Sequence, residues 1–256
     1  MGRSADIRDA VTSSSVQLQP LSNAHQAARA GAEAFVAEAR AAVEARGRFS
    51  VALSGGTAPR EMYSLLAGDD LSRRIPWEGV HLFWGDERCV PPRHPRSNYA
   101  MAWDAFIRRV PIPRENVHRM RGELAADEGA ARYREELEAF FGPGIPRFDV
   151  VHLGLGPDAH TCSLFPFDPL LRERRLTVAP ALMRELGEPR ITFTFAVVNA
   201  AARVEMFVVG AGKADVVWKV LEGPLDPFRL PAQLARPTDG ELVWIVDRAA
   251  AARLSA

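Results

Sequence analysis

Short apolar runs that end in glycine or a charged turn and lead into helix-like segments recur along this chain. They constrain its architecture more than any other feature. "RFSVALS" (48–54), "GVHLFWG" (79–85), "FDVVHLGLG" (148–156), "RVEMFVVG" (203–210) and "LVWIVD" (242–247) are the principal runs. Several lack polar alternation, which marks strands buried on both faces, as in parallel sheets. Parallel strands need crossover connections, and segments of helical period lie between them. These are 24–46 ending at Gly47, 59–67 with Pro59 in its first turn, 97–110 with Ser97 as N-cap, 127–142 stopped by Gly142 and Pro143, and 213–223. The expected fold is α/β: a mainly parallel, Rossmann-like sheet with helices on both faces. "RITFTFAVVN" (190–199) alternates and is assigned to one further strand. No repeat or linker divides the chain, so residues 21–256 are expected to form one domain, preceded by a flexible segment over 1–20.

Lys plus Arg and Asp plus Glu each number 32, so the formal net charge is zero. Nucleic-acid and anionic-membrane binders need a cationic excess, and neither partner is expected. The polar start "MGRSADIRDAVTSSSVQLQP" has no apolar signal region, and no apolar run is long enough to span a bilayer. The two cysteines, Cys89 and Cys162, make no disulfide framework and fit a reducing compartment. A cytoplasmic protein, monomeric or a small homo-oligomer, is the expectation.

In α/β sheets ligands bind beyond the carboxyl ends of the strands, and four unusual loops fall there: 54–57, 85–92, 154–160 and 210–213. In "LSGGTAPR", Gly55 and Gly56 let backbone amides approach a ligand closely. Ser54 and Thr57 add hydroxyls, and the next helix offers its positive end. An anion cradle and a plain capped turn both fit. In "WGDERCVP", Arg88 suits a phosphate and Asp86 a substrate hydroxyl, while a surface ion-pair cluster is the other reading. Gly210, Gly212 and Lys213 tempt a P-loop assignment, but position 207 is Phe where that motif needs Gly. Lys213 remains a point charge suited to phosphate, or a solvated lysine. "GLGPDA" (154–159) meets the loose dinucleotide fingerprint, yet Pro166 interrupts the helix that a dinucleotide site requires.

The same stretch offers acid–base chemistry instead. Of six histidines only His160 combines a neighbouring acid, Asp158, with a glycine turn at a strand end. Imidazole is a competent base near neutral pH, and Gly156 lets the backbone come close to a substrate. A turn-stabilising histidine is the alternative. No His-x-x-x-His spacing and no G-x-S-x-G elbow occur, so neither a metal nor a serine nucleophile is expected. Cys162 reads as packing more than as a nucleophile.

Three stretches, "LSGGTAPR" (53–60), "WGDERCVPPRHPRSNYAMA" (84–102) and "HLGLGPDAHTCSLFP" (152–166), resemble the glucosamine-6-phosphate isomerase/6-phosphogluconolactonase family, in the family's order. The resemblance spans most of 20–247 and implies a glucosamine-6-phosphate deaminase-like fold with no cofactor. It implies hydrolysis of 6-phosphoglucono-δ-lactone, with His160 as base to water and Asp158 orienting it. The phosphate would be held by Ser54, Gly55, Gly56, Thr57, Arg88 and Lys213. Asp86 would touch substrate or brace Arg88, and the oxyanion would meet Arg88 or amides of the 154–156 turn. Two positions depart from the pattern: Ala159 stands for the usual Gly, and Arg96 for a frequent Asp. The related deaminases carry a Glu where this chain has Phe165, and Asp-Glu-Tyr where it has Asp86-Glu87-Arg88. A deaminase/isomerase, a sugar-phosphate binder without turnover, and a dinucleotide oxidoreductase stand as alternatives in that order.

Overall fold

The computed structural model describes residues 16–181 and 187–255. Its main sheet has six parallel strands in the order β1-β9-β8-β5-β2-β3. They are β1 (Val16–Leu21), β2 (Phe49–Leu53), β3 (Val80–Trp84), β5 (Val150–Leu153), β8 (Arg203–Val208) and β9 (Glu241–Asp247). Every central run named from the sequence is in this sheet. The chain sets down β2 and β3 in one direction, then returns to the other side of β2 for β5, β8 and β9. The order therefore reverses between β2 and β5, the kind of crevice where α/β sheets bind ligands. Pairing of β2 with β5 is confined to Val51↔Val150 and Ala52↔Val151, whereas β2 and β3 pair over five residues. The crevice opens where β2 and β5 part.

The two faces follow from strand alternation. Phe49 of β2 meets Phe35 of α1 (Ala24–Arg46), ring centroids 5.4 Å apart. Phe83 of β3, registered with Ala52 on the opposite face, meets Phe140 and Phe141 of α5 (Ala126–Phe141) at 5.1 and 5.8 Å. Helices α1 and α5 thus cover opposite sides. Gly47 ends α1 at φ 74°, a left-handed conformation that suits glycine. The remaining helices are α2 (Thr57–Leu66), α3 (Asp69–Ser72), α4 (Asn98–Ala105), α6 (Phe195–Ala200) and α7 (Ala214–Leu221). Most of the buried apolar side chains form one continuous cluster that includes Phe35 and Trp244.

Two features differ from the sequence reading. Residues 1–15 lie outside the described residues, but 16–20 belong to a strand rather than a loose segment: β1 pairs with β9 over six residues. The run 190–199 is not one strand. β7 (Arg190–Phe193) ends at Thr194, whose hydroxyl donates to the Leu176 carbonyl, and α6 begins at Phe195. Its apolar residues suit a buried helix as well as a strand, and short runs do not separate the two by pattern. β7 lies in a second, antiparallel sheet with β4 (Asp86–Arg88) and β6 (Val178–Ala181), neither of which the sequence pattern marked.

Candidate active site

Beyond Leu53 the chain turns through Ser54, Gly55 and Gly56 into α2. Gly56 sits at φ 107°, where a side chain would be strained, and a Cβ on Gly55 would lie 2.0 Å from Asn98 Oδ1. Both glycines are required by geometry. First-turn amides have no intrahelical acceptor, and no described side chain caps α2, which leaves those of Thr57 and Ala58 open. They open on a cleft of about 450 Å³. The loop can therefore cradle an anion at the positive end of a ten-residue helix.

The Asp86–Glu87–Arg88 triplet is not a surface ion-pair cluster. Glu87 is buried and its carboxylate accepts from the amides of Arg88, Asn98 and Tyr99 and from the Ser97 hydroxyl, at 2.7–2.9 Å. It caps the start of α4. Asp86 accepts from Asn98 Nδ2 at 3.0 Å and from Ser163 Oγ at 2.6 Å. Its carboxylate is thus braced by those two residues, not by Arg88. Arg88 reaches the Arg96 carbonyl at 2.6 Å, and Arg96 itself pairs with Glu188 at 2.8 Å, which offsets its charge.

Sequence reasoning missed Arg190. It stands directly opposite Arg88 in the antiparallel register of β4 and β7, and both line the cleft. Among the described residues neither buried Nε finds an acceptor. Two like charges directly opposed on a sheet are unfavourable on their own, and an anion between them reverses the sign. Burial lowers the Arg190 pKa from its ordinary value, with Asp86 opposing and Arg88 reinforcing the shift. Arg190 lay hidden because its run reads as plain strand and its partner is about a hundred residues away.

The third component is the turn after β5. The Gly156 amide donates to the His160 carbonyl at 2.8 Å, and the Ala159 amide to the Gly156 carbonyl at 3.1 Å, closing the turn. The Gly156 amide is therefore not available as an oxyanion donor. The His160 ring lies against Gly156, where a Cβ would sit 2.1 Å from Nδ1. His160 Nδ1 is 2.5 Å from Asp158 Oδ1. An ionised carboxylate only accepts, which assigns the proton to Nδ1 and leaves Nε2 with its lone pair. Nε2 has no partner among the described residues, and the ring is a quarter exposed on the cleft wall. Burial alone would raise the Asp158 pKa, but the hydrogen bond and charge of His160 outweigh it and hold the carboxyl below its ordinary value.

Phe165 packs on the imidazole with centroids 4.5 Å apart and is buried, so no carboxylate stands where the deaminases place one. Ala159 adopts φ 65°, so its methyl is retained at a cost of about 1 kcal/mol relative to Gly. Burial, then the charge of Asp86, push the Cys162 thiol well up, the opposite of a nucleophilic thiolate. Lys213 Nζ donates to the Leu155 carbonyl at 2.6 Å, and burial lowers its pKa against the opposing charge of Asp158. Among the described residues no group of three or more His, Cys, Asp or Glu side chains is arranged to hold a metal ion.

Nine of the ten residues singled out from the sequence line this one cleft; Asp158, the tenth, is bonded to the ring of His160. A loop able to cradle an anion, a pair of guanidiniums and an Asp–His pair meet at the switch point of a parallel sheet, which marks an α/β protein with a candidate acid–base site. A family model described as glucosamine-6-phosphate isomerases/6-phosphogluconolactonase matches residues 22–244, and the chain belongs to that family. It is 43% identical over 220 residues to a 6-phosphogluconolactonase of Nostoc sp., spanning 84% of this chain and 88% of that protein. It is 41% identical over 217 residues to the 6-phosphogluconolactonase of Homo sapiens, spanning 82% and 83%. The structure of a 6-phosphogluconolactonase from Trypanosoma cruzi superposes with a TM-score of 0.84 at 25% identity, covering 94% of this chain and 98% of that one.

Proposed function

We propose that this protein hydrolyses 6-phosphoglucono-δ-lactone to 6-phosphogluconate, the lactone-opening step of the oxidative pentose phosphate pathway. The observation that carries the reading is the Asp158–His160 pair, its Nε2 unpartnered among the described residues, in one cleft with the Ser54–Thr57 cradle and the Arg88–Arg190 pair. The identity to relatives named for this activity supports it.

In this reading the amides and hydroxyls of Ser54, Gly55, Gly56 and Thr57 hold the phosphate, together with Arg88 and Arg190. Lys213 adds positive charge at the cleft wall. Fixing the remote dianion orients the sugar ring and directs binding energy to the carbonyl. His160 Nε2 takes a proton from water as its oxygen adds to the lactone carbon, and Asp158 supports the imidazolium. Collapse of the tetrahedral oxyanion breaks the ring C–O bond, and His160 returns the proton to the leaving ring oxygen. Asp86, fixed by Asn98 and Ser163, presents its carboxylate to a substrate hydroxyl. A cytoplasmic setting belongs to the same proposal, in keeping with the two free cysteines. No described helix is long and apolar enough to cross a membrane.

The test is a pH-stat assay of lactone opening with the spontaneous rate subtracted. Wild type should exceed that rate, and His160→Ala should lose about 10²–10⁴-fold in kcat while still binding 6-phosphogluconate. Turnover of His160→Ala at the wild-type rate would remove the base assignment. Ammonia release from glucosamine 6-phosphate without lactone opening would replace the whole reading.

A further inference from the structure

Beneath the cradle runs a line of buried polar groups that the proposed chemistry does not use. The Ser54 amide donates to Tyr63 Oη at 2.9 Å, and Tyr63 Oη is 3.1 Å from His152 Nδ1. His152 Nε2 lies 3.4 Å from Glu205 Oε2, and Arg203 Nε donates to Glu205 Oε1 at 2.8 Å. Tyr63, His152 and Glu205 are all buried. The Tyr63 oxygen accepts from Ser54, so its own proton points to His152 Nδ1. That leaves the imidazole proton on Nε2, facing the carboxylate, a tautomer assigned from its partners. Burial pushes the Tyr63 phenol well up, which keeps it a hydroxyl donor. Burial would also raise the Glu205 pKa, but His152 and Arg203 outweigh it and hold the carboxyl below its ordinary value.

A buried polar line that ends in an ion pair, here Glu205 with Arg203, adds little stability over apolar residues of the same shape. Its geometry suggests another use. The ladder between β2 and β5 ends at Ala52↔Val151, so Ser54 leaves the sheet without a strand neighbour on that side. Tyr63 comes from α2, the helix that follows the cradle loop, and takes up the Ser54 amide. One hydrogen bond thus ties the end of the strand to the helix and closes the loop from below. His152, on β5, fixes the direction of the Tyr63 hydroxyl, and the charge of Glu205, on β8, favours the proton on the far ring nitrogen although no aligned hydrogen bond joins the two.

We infer that Tyr63 is a positioning residue for the anion cradle: its hydroxyl, directed by His152 and Glu205, holds Ser54 so that the Gly55–Thr57 loop stays shaped for a phosphate. The inference rests on the proposed phosphate role of that loop. It assigns Tyr63 to binding and not to the proton transfer at His160.

The experiment compares wild type with Tyr63→Phe, which removes one oxygen and keeps the ring. Binding of 6-phosphogluconate is measured by calorimetry, and KM and kcat are measured on the phosphorylated and unphosphorylated δ-lactones. Tyr63→Phe should weaken 6-phosphogluconate binding and raise KM for the phosphorylated lactone about three- to tenfold, the worth of one hydrogen bond. Its kcat should stay within about twofold of wild type, and turnover of the unphosphorylated lactone should be unchanged. A lowered Tm with KM unmoved would assign Tyr63 a structural role only and overturn the inference, as would a loss confined to kcat. If Tyr63→Phe does not fold, Glu205→Gln carries the same test. A KM about two- to threefold above wild type at constant kcat is then expected, and an unchanged KM overturns the inference. Wild type that fails to bind 6-phosphogluconate would defeat the lactonase reading and this inference with it. Wild type that binds, beside a Tyr63→Phe that binds equally well, would defeat this inference alone.

Discussion

At Gly156 a single hydrogen atom separates the backbone from the imidazole. A methyl there would lie 2.1 Å from His160 Nδ1, 2.3 Å from Cε1 and 2.6 Å from Asp158 Oδ1. Gly156→Ala should therefore turn the ring and lower kcat by about 10²-fold, with 6-phosphogluconate binding largely kept. Equal losses in both would show that the whole cleft had moved. Arg190 separates binding from stability. Arg190→Ala removes a like charge facing Arg88 but also the attraction of Asp86, so the Tm of the ligand-free protein should change little. KM for the phosphorylated lactone should nevertheless rise at least about tenfold, and Arg190→Lys should restore it only in part, since an ammonium lacks the planar fork. A fall in Tm with KM unchanged would make Arg190 a structural residue. His160 and Asp158 were legible in the sequence because they are two residues apart and bonded to each other within one turn. Arg190 was not, because its significance depends on a register with Arg88 that no local pattern encodes.

At the scale of elements, the cleft depends on how α4 is started. Ser97 was expected as its N-cap, and its hydroxyl does accept from the Ala100 amide at 3.0 Å. The larger contribution comes from Glu87, ten residues earlier, whose carboxylate gathers three amides and that same Ser97. Asn98, held in this way, fills the space beside Gly55 and braces Asp86. Glu87→Ala leaves those donors buried without an acceptor and should reduce unfolding free energy by about 2–4 kcal/mol in urea titrations. A change below about 1 kcal/mol would show that water replaces the carboxylate. The helices α1, α2, α5 and α7 were legible within a few residues, because capping glycines and apolar period act over one or two turns. The small sheet was not legible. β4 has three residues and β6 four, too short for a periodic signature, and they exist as strands only because β7 pairs with both.

For the molecule as a whole, stability against acid has an identifiable contributor far from the cleft. His81 lies on β3 beside His118, Nδ1 to Nε2 at 3.2 Å, and burial, then the charges of His118 and Arg48, push its pKa down to about 4 from an ordinary 6.5. The unfolded chain binds a proton there below about pH 6.5, while the folded chain does not until about pH 4. Above that window His81 is neutral in both states, and as pH falls through it the proton bound by the unfolded chain alone lowers the stability of the native state. His81→Leu should flatten the stability–pH slope between pH 6.5 and pH 4 by on the order of 1–3 kcal/mol, read from urea midpoints at several pH values. An unchanged slope would place the acid sensitivity elsewhere.

The sequence by itself determined the α/β class, most of the parallel strands, the loops at their carboxyl ends and the Asp158–His160 pair. Each depends on apolar period, glycine or neighbouring side chains, and those act over distances that the local chain spans. Tertiary structure alone decided that β5 lies beside β2, which opens the crevice, that Arg190 faces Arg88, and that Tyr63, His152 and Glu205 line up under Ser54. Strand order and cross-sheet register come from how a whole core packs, and residues about a hundred positions apart acquire a relation only once that packing is complete.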